Sequence, residues 1–238
     1  MEQLRISGKT LGQLALPSFC PRCFWLKQRL GNKLPWQIFP GIFASIDSYT
    51  KTLVYGFWEA HNRLPKWLDP TEEFDRPIPT PGHQNFWVVD DATNIRLTGA
   101  ADCILRFFTG EYAILDFKTA KYSPAQDELL PMYQVQLNAY AYIATRRGIS
   151  PVTGLGLVYC EPMTKLTEEQ ISAMVKSNGF LMPFNVKGVP IHLAPEEIVP
   201  PLLRRVREIA DFPLPPAGRD GCKDCERVES LMSLLATR

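Results

Sequence analysis

The chain lacks a long apolar run, an excess of charge of either sign, and any internal repeat or low-complexity tract. Its 26 Lys and Arg face 25 Asp and Glu, a formal net charge of +1, so a nucleic-acid partner would be held by local basic patches and not by the whole surface. No segment reaches the apolar length of a membrane span, and the N-terminus has no signal-peptide pattern; a cytoplasmic protein with no membrane partner is therefore expected. In that compartment the six cysteines read as thiols or metal ligands, not disulfides. The lack of repeats leaves no sign of a solenoid. With 45% hydrophobic and 21% charged residues, 238 residues suit one sizeable core with appendages better than two small domains.

What is present centres on residues 99–140. Residues 95–107 and 112–118 are β-prone runs on either side of Phe108-Thr109-Gly110-Glu111, the pattern of an antiparallel hairpin. Side chains alternate along a strand, so Ile114, Asp116 and Lys118 share one face while Leu115 and Phe117 take the other. Ionised groups on such an apolar strand must be paired or bind a metal. One reading is an ordinary salt bridge. The other is a divalent-cation site, with Asp102 and Asp116 as oxygen ligands and Lys118 facing a phosphate or the attacking water. A two-residue Thr109-Gly110 loop would place Asp102 opposite Phe117 and separate the carboxylates. A shared site therefore requires a loop of odd length or a β-bulge.

The ordered set Gly99-Ala100-Ala101-Asp102, Asp116-Phe117-Lys118 and Gln136-Leu137-Asn138-Ala139-Tyr140 resembles the PD-(D/E)XK nuclease superfamily. It is most similar to the RecB-like branch that includes iron-sulfur CRISPR-associated exonucleases. The resemblance implies an α/β, restriction-endonuclease-like core: a mixed central β-sheet flanked by helices, the termini joined at a four-cysteine metal site. It implies Mg2+ or Mn2+ held by Asp102 and Asp116 with the Phe117 carbonyl, Lys118 at the nucleophile, and Gln136 and Tyr140 as orienting groups. The family often carries a metal-binding His on an early helix. Residues 42–48 contain none, and Asp47 is the nearest substitute. The expected activity is deoxyribonuclease, as an exonuclease on single-stranded DNA in CRISPR adaptation or repair, with a nuclease, integrase or helicase as a protein partner. A catalytically silent nucleic-acid-binding member is the alternative, and a structural zinc protein a further one.

Cys20-Pro-Arg-Cys23 and Cys222-Lys-Asp-Cys225 form two Cys-x-x-Cys pairs at opposite ends of the chain. Four thiolates suit Zn2+ or an Fe-S cluster, and a redox pair or free thiols are the bland alternatives. The resemblance implies a [4Fe-4S] cluster, with Zn2+ as the alternative, although related nucleases place one cysteine early and three late. Residues 1–35 and 211–238 would form the cysteine cap of a single nuclease domain spanning 1–238. Cys103 and Cys160 read as core thiols. Basic clusters occur at Lys27, Arg29 and Lys33, at Arg146 and Arg147, and at Arg204, Arg205 and Arg207.

The remaining pattern predicts helices over 41–62, 132–145 and 195–210. It predicts a three-stranded meander over 86–89, 95–107 and 112–118, and a strand over 154–160 beside the Asp116 strand. The proline-rich 64–81 reads as a surface connection, and 191–193 as an edge strand.

Overall fold

The computed structural model describes residues 2–31, 34, 40–123 and 128–236. Strand β1 (Leu4–Ser7) runs directly into helix α1 (Gly8–Gly12), because the Ser7 hydroxyl accepts the Thr10 N–H and caps the first turn. Helix α2 (Pro21–Arg29) has proline in its first turn, where a backbone N–H has no intrahelical partner. Helix α3 (Gly41–His61) ends where Asn62 turns left-handed. Then follow β2 (Phe74–Ile78), β3 (Trp87–Asp90), β4 (Ile95–Thr98), β5 (Cys103–Phe107), β6 (Tyr112–Lys118), α4 (Leu130–Arg146) and β7 (Val152–Pro162). Helix α5 (Glu168–Met174), β8 (Val175–Lys176), β9 (Gly179–Phe180), β10 (Phe184–Pro190), α6 (Pro195–Ala210) and α7 (Lys223–Ala236) complete the chain.

Among the described residues the strands form a mixed five-stranded sheet in the order β10-β7-β6-β5-β2, a three-stranded sheet β1-β4-β3, and the short hairpin β8-β9. In the large sheet β6 and β7 are parallel and the other pairs antiparallel. Ile104, Ile114, Leu155 and Leu157 face a core shared with α4, α6 and the small sheet. Cys103, Leu105, Phe117, Val158 and Cys160 face a second core closed by Val54 of α3. This is the expected mixed sheet between helices. No described helix is long and apolar enough to cross a membrane.

Four expectations change. Residues 95–107 are two strands in different sheets, not one, so the meander does not form. Gly99 donates to the Phe86 carbonyl at the end of the small sheet, and the chain crosses through 100–102 before pairing again at Cys103. The 64–81 connection contains β2, an edge strand that tolerates Pro77. The other edge is β10, and 191–193 follows it. The expected 211–238 cap, for which the sequence pattern predicts no helix, carries α7.

Candidate active site and metal centre

The β5–β6 register pairs Cys103 with Leu115, Ile104 with Ile114 and Arg106 with Tyr112. Extended by one residue, it sets Asp102 opposite Asp116 on the face that carries Ile104 and Ile114. The loop makes this possible. Phe107 and Glu111 close three residues, Phe108 to Gly110, through the Phe107 N–H to Glu111 carbonyl bond, with Gly110 at φ +101°. An odd loop is what a shared site required.

Each acid is then fixed. Asp102 Oδ2 accepts the Phe117 N–H at 2.8 Å, and its Oδ1 meets Lys51 Nζ at 2.7 Å. Asp116, its side chain 5% exposed, accepts from Gln136 Nε2 at 3.0 Å and contacts the Lys118 ammonium through Oδ2. That Oδ2 is buried and accepts no aligned hydrogen bond, so the Lys118 contact is ionic only. Gln136 also donates to the Tyr140 hydroxyl at 2.7 Å, one helical turn along α4. Lys118 Nζ stands 3.5 Å from Gln136 Oε1 and 4.0 Å from the Tyr133 ring centre. Gly99 admits this packing, since a Cβ there would lie 2.7 Å from the Phe86 ring and 2.9 Å from the Tyr140 ring.

These groups open on a cavity of about 420 Å³ lined also by Lys9, Phe43, Asp47, Thr119 and Tyr133. Burial pushes the Asp116 carboxyl up to about 6, with Lys118 pulling the other way and Asp102 adding repulsion. Burial likewise raises Asp102, which Lys51 only partly offsets. The Lys51 ammonium loses solvation, but its bonds to Asp102 and Asp47 outweigh that loss and raise its pKa. Burial, then the Asp116 charge, raises the Tyr140 phenol. A buried acid with an unbonded oxygen beside a second carboxylate suits a hard divalent cation.

All the acids, the lysine and the amide singled out in the sequence thus meet in one cavity, Asp47 through Lys51. Phe117 contributes its backbone here, while its side chain enters the second core. Lys51, Lys9 and Tyr133 were not singled out. For Lys51 the signal was present: it follows Asp47 by four residues on a helix, within reach of it at 2.8 Å.

Cys20, Cys23, Cys222 and Cys225 are buried together, their sulfurs all within 4.8 Å of one another. The measured contacts are 3.5 Å for Cys20–Cys225 and Cys23–Cys225 and 3.6 Å for Cys23–Cys222. Burial raises the Cys20 thiol, but the Arg219 and Cys23 N–H groups overcome it and hold the thiol down to about 7. Burial, with Cys20 adding to it, pushes Cys225 up to about 12. Around the thiols, Arg22 binds the Pro216 carbonyl and Glu229, and Trp25 binds the Phe212 carbonyl. Both ends of the chain therefore meet at a site fit for a soft, thiophilic metal. Cys103 and Cys160 lie buried in the second core.

Most of the basic clusters serve the fold. Arg29 caps the Ala210 and Phe212 carbonyls, Arg146 pairs with Glu196, and Arg207 is buried against the Thr93 carbonyl. Lys27 lines a cavity at the thiols, and Lys33 lies outside the described residues.

A family model of the PD-(D/E)XK nuclease superfamily matches residues 49–229, about three-quarters of the chain. The chain belongs to that superfamily. PD-(D/E)XK proteins are generally metal-dependent nucleases, and the matched span contains Asp102, Asp116, Lys118, Gln136, Tyr140, Cys222 and Cys225. It leaves out Asp47, Cys20 and Cys23, which this PD-(D/E)XK chain brings to the same two sites from its N-terminal side. A solved structure described as "Crystal structure of SSO0001" is 16% identical, with a TM-score of 0.41, covering 90% of this chain and 80% of that one. No curated protein matches the chain.

Proposed function

We propose that the protein is a Mg2+- or Mn2+-dependent deoxyribonuclease of the RecB-like branch, acting on single-stranded DNA ends in CRISPR adaptation or repair. One observation carries the nuclease chemistry: Asp102 and Asp116 are paired across β5–β6 at a cavity where Lys118, Gln136 and Tyr140 converge. A divalent cation on Asp102, Asp116 and the Phe117 carbonyl would polarise a phosphoryl oxygen and supply an activated water. The Phe117 N–H fixes Asp102, Gln136 orients Asp116, and Tyr140 holds Gln136. Lys118 faces the charge that develops on the phosphate. Single-strand preference is supported by the resemblance.

The single nuclease domain spans 1–238, and residues 1–35 and 211–238 bring the thiols together as its cap. The same N-terminal stretch also gives β1 to the small sheet and Leu11 to the core. Of the two metals expected there, the sulfur spacing favours Zn2+. Zn–S bonds of about 2.3 Å in a tetrahedron put sulfurs about 3.8 Å apart, inside the spread from 3.5 Å to at most 4.8 Å found here. A [4Fe-4S] core interposes four irons and four sulfides and holds its thiolates farther apart than 4.8 Å. Metal analysis of anaerobically purified protein tests this choice; about four irons and a brown colour would overturn it.

Lys118→Ala tests the nuclease reading. It should lower Mn2+-dependent cleavage of labelled single-stranded DNA by about a thousandfold or more while DNA binding persists. Cleavage at the wild-type rate rules out this site as the source of the activity, and no Mn2+-dependent cleavage by wild type leaves a silent binding member of the fold.

A further inference from the structure

Lys51 holds two carboxylates at once, with its Nζ 2.7 Å from Asp102 Oδ1 and 2.8 Å from Asp47 Oδ2. A cation shared in this way removes the repulsion between acids, which is also what a divalent ion does between oxygen ligands. Across the cavity Lys118 pairs with Asp116, and Lys9 lines the wall. Asp47, Asp102 and Asp116 are thereby matched in charge by Lys9, Lys51 and Lys118. The cavity is close to neutral before a metal ion enters, so the ion's two positive charges arrive uncompensated. The buried Asp116 Oδ2, held by the Lys118 ion pair alone, nevertheless offers that ion a ligand.

We propose that Lys51 is a resident counter-ion that competes with the divalent cation for Asp102, so that the cation binds tightly only together with a phosphodiester. The anionic phosphate offsets half of the charge that the metal ion brings, and metal and nucleic acid bind cooperatively. Lys51 acts here as a positioning residue, setting when the ion is held. A purely structural Lys51 would tie α3 to the sheet and leave metal affinity alone. The proposal rests on the nuclease reading above and adds the coupling of its two ligands.

The test is Mn2+ binding to the full chain, read from the electron paramagnetic resonance of free aquo-Mn2+, with and without phosphorothioate-linked decathymidylate. Without the oligonucleotide, Lys51→Met is expected to bind Mn2+ about tenfold more tightly than wild type, as removal of one nearby positive charge in a half-enclosed site requires. It should also gain less affinity than wild type when the oligonucleotide is added. Lys51→Arg keeps the charge and stays near wild type. Asp116→Asn identifies the ions counted, because it should lose them, and Lys51→Gln serves if Lys51→Met does not fold. Unchanged or weaker Mn2+ binding by folded Lys51→Met overturns the counter-ion role while the nuclease reading stands. No Mn2+ binding by wild type or Lys51→Met, with or without the oligonucleotide, overturns the nuclease reading and this proposal together.

Discussion

The two sites of this protein are built in opposite ways. The carboxylate cavity takes Asp102, Asp116, Lys118 and Gln136 from a short span joined by one hairpin and one helix, adds Asp47 and Lys51 from α3, and neutralises its acids with ammonium groups. The thiol site takes its ligands from positions 20 to 225 and has no such internal counter-ion in its inner shell of four sulfurs. Hard oxygen donors shared with lysines suit an ion that comes and goes. Converged soft donors, of which burial raises Cys23 and Cys225 while N–H groups hold Cys20 down to about 7, suit an ion that stays and closes a loop of some two hundred residues. On the proposed function, catalysis and stability would be divided between two metal sites.

The largest expected effect tests that division. Cys222→Ser should cost the thiol site its metal and lower the melting temperature by about 10 °C or more, because metal binding there is folding energy. A melting curve of the metal-analysed variant decides it, and an unchanged curve would mean that the thiols are no staple.

A smaller effect is expected at Gly99→Ala, which touches the carboxylate cavity alone. The new methyl must displace the Phe86 or Tyr140 ring, at about 1–3 kcal/mol of stability. Because Tyr140 holds Gln136, and Gln136 holds Asp116, cleavage should fall by more than binding of DNA does. Equal kinetics in the variant would show that this chain of bonds does not orient the acid.

The smallest effect is in the pH dependence of the metal-free protein. Burial, opposed by Lys118, lifts Asp116 to about 6 from its ordinary 3.8. The folded state therefore keeps a proton that the unfolded chain has released, and stability falls as pH rises from about 4 to about 6 and levels off above. Added Mn2+ must expel that proton, so its stabilising effect should be greater at about pH 7 than at about pH 5. Melting curves of wild type and Asp116→Asn, with chelator and with Mn2+, isolate this from the thiols, whose Cys20 also titrates near 7. The same Mn2+ gain at both pH values would place the cation elsewhere.

Much of this arrangement was legible in the residues. Alternation along 112–118 put Asp116 and Lys118 on one face, the need for a shared site required an odd loop, and Gln136 and Tyr140 fell one helical turn apart. The long helices were legible from apolar periodicity, which α6 buries at Val199, Leu203 and Val206, whereas α3 leaves Ile42, Tyr49 and Leu53 exposed. The 95–107 run was misread because its two apolar halves look continuous, while the break depends on Phe86 and Tyr140 closing on Gly99. Lys51 was missed although it follows Asp47 by four residues, because its pairing with Asp102 depends on the fold bringing α3 to the sheet.

The sequence by itself determined the local chemistry: which strand carries an acid beside a lysine, which helix carries the amide and phenol, and that the cysteines come in two pairs. Those features depend on periodicity and spacing, which neighbouring residues fix. Only the tertiary structure decided that the acids oppose each other across one register, that α3 lends Asp47 and Lys51 to them, and that four sulfurs within 4.8 Å of one another join the two ends. Those features depend on contacts between residues far apart in the chain, and the packing of the two cores on opposite faces of one sheet sets them.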